Sequence, residues 1–115
     1  MSHKIYSMTF ASIYEMYINK AERKQKTKAD VDTIILWLTG YTDEQFQAAL
    51  DHKLTMREFY DQASNFNENA SLIKGVVCGV RVEDVEDELM QKIRYMDKLI
   101  DELAKGKALE KILRT

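Results

Sequence analysis

The chain has 115 residues, 45% of them apolar, and 17 Lys and Arg against 19 Asp and Glu give it a formal net charge of −2. That length suits one domain, residues 1–115, able to withdraw roughly 65% of its unfolded surface from water, and the near balance of charge excludes a strong nonspecific pull toward nucleic acid or anionic lipid. The single cysteine, Cys78, excludes an internal disulfide; with no run near the roughly 20 apolar residues of a membrane span and no leader-like start, a soluble chain in the reduced cytoplasm is expected.

Residues 1–8 are expected to fray in part. Thr9 then opens the first helix, with Met8 and Ile13 placed as a hydrophobic staple and Ser12 at the third position. Phe10, Ile13, Tyr14, Tyr17, Ile18 and Ala21 recur at steps of three and four, which predicts one apolar face on a helix running to about Lys24. Thr27, Thr42 and Thr55 are each followed three residues later by Asp30, Gln45 or Glu58, the capping-box pattern in which each side chain satisfies the other's backbone N–H. A second helix therefore buries Val31, Ile34, Ile35 and Leu38 and stops at Gly40, while shorter third and fourth helices carry Phe46, Ala49 and Leu50, then Phe59, Tyr60 and Ala63. No proline interrupts any of them.

Ser64 to Ala70 reads as the longest loop. The segment Gly75-Val-Val-Cys-Gly-Val-Arg-Val82 is ambiguous between strand and helix; a short buried helix is expected, because a lone strand would lack a partner and glycines four apart suit a close helix contact. The longest helix follows Asp87, with Asp84, Glu86 and Glu88 favoured at its positive end. Leu89, Ile93, Met96, Ile100 and Leu103 form a heptad-like seam, flanked by Leu99 and Tyr95, before Lys105 and Gly106. A last short helix carries Leu109, Ile112 and Leu113.

Each chemically suggestive feature has a structural reading beside it. Cys78 invites a nucleophile, but the histidines are only His3 and His52, so a buried inert thiol is expected. Arg81 suits a phosphate or carboxylate, or an internal ion pair. The acidic stretch Glu83 to Glu88 lacks calcium-loop spacing and any nearby histidine, so no metal site and no cofactor are expected. Lys20, Arg23, Lys24, Lys26 and Lys28 surround the end of the first helix, where cations oppose its negative pole; an anion or RNA contact is the functional alternative. The helix-turn-helix outline from Thr27 to Leu50 puts Asp43 and Glu44 where DNA phosphates would lie, so a DNA reader is not expected. Trp37, Tyr41, Tyr6, Tyr14 and Tyr17 are core aromatics or pocket liners.

Ile5-Tyr6, Phe10 with Ile13-Tyr14, Lys20-Ala-Glu-Arg-Lys24, Trp37-Leu-Thr-Gly-Tyr41, Ser71-Leu-Ile73, the Gly75 to Val82 segment, Ile93-Arg-Tyr95 and Asp97 through Lys107 together resemble the bacterial domain of unknown function 2200 family, over Lys4 to Arg114. The resemblance implies a small, mainly helical, cytosolic bacterial protein and carries no assigned activity, cofactor or catalytic residue. It also implies relatives with proline where Glu88 stands, as suits a first helical residue after an Asp87 cap, and with cysteine where this chain has Leu36, so a functional cysteine there is not supported.

The expected architecture is an all-α bundle of five to seven helices crossing at varied angles. The leading functional expectation is a noncatalytic interaction module that self-associates through Leu89, Ile93, Met96, Leu99, Ile100 and Leu103, with a homodimer or another protein as partner. The alternatives are a small-molecule-binding protein or enzyme with a site near Cys78 and Arg81, drawing on Trp37, Tyr41, Arg23, Lys24 and Lys28, and a weak nucleic-acid binder through Lys20 to Lys28.

Overall fold

The computed structural model describes residues 3–114; the part of the fraying expectation that falls on residues 1 and 2 lies outside them. Among the described residues six α-helices follow one another: α1 (Phe10–Glu22), α2 (Lys28–Thr39), α3 (Asp43–Asp51), α4 (Met56–Asp61), α5 (Glu88–Ala104) and α6 (Leu109–Ile112). The small all-α bundle is thus the fold.

Every threonine cap forms. Thr27 with Asp30, Thr42 with Gln45 and Thr55 with Glu58 make reciprocal capping boxes, and Thr9 accepts from the Ser12 N–H at 3.3 Å. Asp87 caps α5 by accepting from Met90 N–H at 3.0 Å, which makes Glu88 the first helical residue. The α1 and α4 caps are also tied to each other. Phe10 N–H donates to Leu54 C=O and Met56 N–H donates to Met8 C=O, both at 2.8 Å, so two first-turn donors that a helix cannot satisfy internally find partners in an antiparallel bridge.

That bridge brings Phe10 over Phe59, their rings stacked at 3.7 Å, with Phe46 and Tyr60 edge-on around them. Gly40 ends α2 at φ 74°, and an added Cβ would lie 2.2 Å from the Asn65 carbonyl oxygen, so glycine is demanded by both conformation and space.

Residues 3–8 lie against the bundle. Lys4–Ser7 forms a 3₁₀ turn whose Tyr6 is buried, its hydroxyl donating to Asp87 and its ring lying under the Arg57 guanidinium at 5.0 Å. Burial first, and the Asp87 carboxylate second, push the Tyr6 pKa up to about 12.

Two expectations are corrected. The Gly75 to Val82 segment is a hairpin, not a buried helix: β1 (Val76–Val77) pairs antiparallel with β2 (Val80–Arg81) around Cys78 and Gly79, which take φ 52° and 79°. Positive φ at both central positions is the type I′ pattern whose twist matches paired strands. The objection that a strand has no partner fails because the partner lies within the segment itself. Cys78, at the turn, is exposed rather than buried.

The second correction concerns α5. Leu89, Ile93, Met96, Leu99, Ile100 and Leu103 are all buried inside the chain's own core. α5 is central, touched by α1, α2, α4, α6 and β1, so its wide apolar face is covered from several sides and leaves no seam for a second copy. Tyr95, beside the seam, is buried as well.

Candidate functional site

The apolar stripe of α1 does more than face the core. Ile13, Met16, Tyr17, Lys20, Arg23 and Lys24 follow the three-and-four spacing of one helix face, and together they form one wall of a cleft of about 560 Å³. Ile5 from the 3₁₀ turn, Val77 and Cys78 from the hairpin, and Asp97 and Ile100 from α5 complete it. The hairpin supplies Val77 because strand residues alternate: Val77 turns inward and is buried, while Val76 stands 49% exposed.

At the hairpin end, Asp97 is the polar centre. Its carboxylate accepts from the Tyr17 hydroxyl at 2.7 Å and from Arg94 Nη1 at 2.9 Å, and Cys78 Sγ lies 3.9 Å from Oδ2. Burial, then the Asp97 charge, raises the Tyr17 pKa well above its ordinary value, so the hydroxyl remains a donor to this carboxylate. Neither histidine lines the cleft, and the thiol donates to the Asp97 carboxylate. The thiol's partner in the cleft is thus a carboxylate that Tyr17 and Arg94 also engage, not a histidine.

At the other end the charges are cationic. Lys20 reaches Asp101 at 3.4 Å, an aspartate that also pairs with Lys105 at 3.0 Å. Burial pushes the Asp101 carboxyl up, but the hydrogen bonds and charges of Lys105 and Lys20 outweigh that and leave its pKa below the ordinary value. Among the described residues Arg23 and Lys24 have no acidic partner within 4 Å.

Cys78, Arg23 and Lys24 are thus brought together, with Lys20 and Tyr17, whereas Arg81, Trp37, Tyr41 and Lys28 lie elsewhere. Arg81 lies on the exposed side of the hairpin, 3.8 Å from Glu83, beside a separate depression with His3, Asp84 and Arg94. Trp37 borders a shallow polar hollow formed with Asn65 to Asn69. The Tyr41 hydroxyl donates to Phe59 C=O, and burial raises its pKa to about 12. Lys28 is engaged with Asp32 at 2.9 Å. Sequence reasoning missed Asp97, Ile5 and Met16; the available signal was an aspartate embedded among the buried positions of α5, between Met96 and Ile100.

Among the described residues no group of three or more His, Cys, Asp or Glu is placed to hold a metal ion, and no helix is long and apolar enough to cross a membrane.

No curated protein matches the chain. The crystal structure of the uncharacterized protein SP1917 is similar over 98% of this chain and 93% of its own, with 43% sequence identity and a TM-score of 0.91. A family model described as an uncharacterized protein conserved in bacteria matches residues 4–114. The chain belongs to that family, DUF2200.

Proposed function

We propose that this chain is a noncatalytic small-molecule-binding protein of the bacterial cytoplasm, with the cleft between α1, the hairpin and α5 as its site. The observation that carries the reading is the cleft's composition. Its volume of about 560 Å³ falls in the range of ligand pockets, and its floor is apolar with a few converging polar groups. The free thiol of Cys78 accords with a reducing compartment.

The test is a small-molecule fragment screen read by backbone amide shifts of the full chain, alongside Asn19→Trp, since Asn19 of α1 also lines the cleft and is exposed, so that the larger side chain fills it from the rim. Shifts at Val77, Cys78 and Asp97 that vanish in the variant are expected. A screen that leaves those amides unmoved would overturn the reading.

Self-association keeps one surface after the loss of the α5 seam. Among the described residues the sheet has two strands, with Val76 and Val80 49% and 39% exposed on its two faces, and uncovered strand edges favour pairing with another chain. Light scattering across a concentration series decides it: growth in mass that Val80→Lys abolishes supports a dimer through the hairpin, and constant monomer removes it.

A further inference from the structure

We infer that the cleft takes a free monoanionic amphiphile, a carboxylate with an unbranched apolar tail, seated with its carboxylate at Arg23 and Lys24 and its tail toward Ile13, Val77 and Ile100. The inference rests on the reading of the cleft as a small-molecule site and adds the ligand's chemical class and direction.

Three observations converge on it. The cleft is graded: from Ile13 to Arg23 along α1 is a rise of about 15 Å, with the apolar side chains of Ile13, Val77 and Ile100 around an Asp97 already held by Tyr17 and Arg94 at the first end, and free cations at the second. An elongated ligand with charge at one tip matches that gradient. Then the charges are unequally committed. Asp97 is held by Tyr17 and Arg94, and Lys20 shares Asp101 with Lys105, which leaves Arg23 and Lys24 as the lining charges with no acidic partner among the described residues. The partial negative charge of the α1 C-terminus attracts them but does not cancel two full positive charges. Finally, Met16 stands 60% exposed on the cleft's lip. An unbranched thioether there adapts to a flexible chain lying beneath it.

The same geometry leaves recognition of the anion to side chains. Phosphate cradles use converging backbone N–H groups at a helix N-terminus. The cationic end of this cleft is instead the C-terminal end of α1, where carbonyls point outward and only side chains donate. Arg23 at the C-cap of α1 and Lys24 just after it can meet the two oxygens of a carboxylate through charge-assisted hydrogen bonds.

The experiment titrates the full chain with decanoate, decan-1-ol and decyltrimethylammonium, each below its aggregation concentration, following cleft amide shifts in the wild type and in an R23Q/K24Q double variant. Both substituted side chains are exposed, so the fold is retained. Decanoate is expected to bind more tightly than the alcohol, and the ammonium most weakly. The double variant is expected to lose about fivefold in decanoate affinity, the scale of two exposed charge contacts, while its alcohol affinity stays unchanged. Added salt should narrow the gap between decanoate and alcohol. Equal binding of alcohol and decanoate, or an R23Q/K24Q variant with full preference for decanoate, would overturn the anion assignment and leave the cleft as a site for neutral ligands. No binding by any of the three, with other fragments still moving the cleft amides, would overturn the amphiphile class alone. No binding by these and a silent fragment screen would overturn the cleft reading with it.

Discussion

The two halves of α1 carry the same spacing of apolar and aromatic residues but meet different surroundings. From Phe10 to Tyr14 the stripe is pressed into rings from α3 and α4, with Phe10 fully buried and stacked on Phe59 at 3.7 Å. From Met16 to Lys24 Tyr17 and Ala21 still reach the core, but beside them Met16 is 60% exposed on the cleft and the following turns become cationic. Periodicity names the face of a helix that will be apolar; the chain's other elements decide whether that face is sealed or left as a wall. In this molecule α4 and its capping bridge seal one end, and a two-stranded hairpin only partly covers the other.

The largest effects should fall on the sealed half. Phe10→Ala removes a ring from a packed aromatic cluster and should cost about 4 kcal/mol, measured as a lower urea midpoint with an unchanged slope. Met16→Ala, two turns along the same helix, should change stability by less than about 0.5 kcal/mol, because little of that side chain is withdrawn from water. Comparable losses at both positions would mean that the cleft half is packed as tightly as the core half.

Two glycines sharpen the contrast at the level of the backbone. Gly40 and Gly79 both hold φ in the left-handed region, at 74° and 79°, but only Gly40 is hemmed in, by the Asn65 carbonyl. Gly40→Ala should therefore add a steric clash to the conformational strain and cost about 3 kcal/mol, whereas Gly79→Ala should show the strain alone, about 1 kcal/mol. Thermal unfolding of the two variants side by side separates the terms.

The sealed half was legible in the sequence and the open half was not, for a physical reason. A capping box is a contract between residues three apart, so Thr27, Thr42 and Thr55 announce their helices without knowledge of the fold. The hairpin hides its signal because cysteine takes the first turn position where asparagine or glycine ordinarily marks a type I′ turn. Cys78→Asn should restore that mark and raise stability by about 0.5 kcal/mol, since asparagine tolerates the left-handed region better. The α5 seam was readable as apolar but not as enclosed, because several other elements approach it from separate directions. Asp97 becomes a site residue only when Tyr17, 80 positions earlier, is folded against it.

Tyrosine supplies the finest comparison, because one substitution should act with opposite signs at the two ends. Tyr60 is buried beneath the aromatic cluster, and among the described residues its hydroxyl has no hydrogen-bond partner. Tyr17 is also buried, but its hydroxyl donates to Asp97 at 2.7 Å. Tyr60→Phe removes an unsatisfied polar atom and should stabilise by about 1 kcal/mol; Tyr17→Phe takes a donor from a half-desolvated carboxylate and should destabilise by about the same amount. Both hydroxyls have pKa values raised well above the ordinary value, by burial first and by the Asp97 charge second. Each therefore keeps a proton in the folded state that the unfolded chain releases near pH 10. Stability from these groups is fully present below that pH and is lost as pH rises beyond it, because the unfolded state then binds fewer protons. Each Phe variant should accordingly lose less stability than the wild type between pH 8 and pH 11. An unaltered alkaline slope in both would show that neither hydroxyl is shielded from water, and would dissolve the distinction between a sealed and an open end where it is drawn most finely.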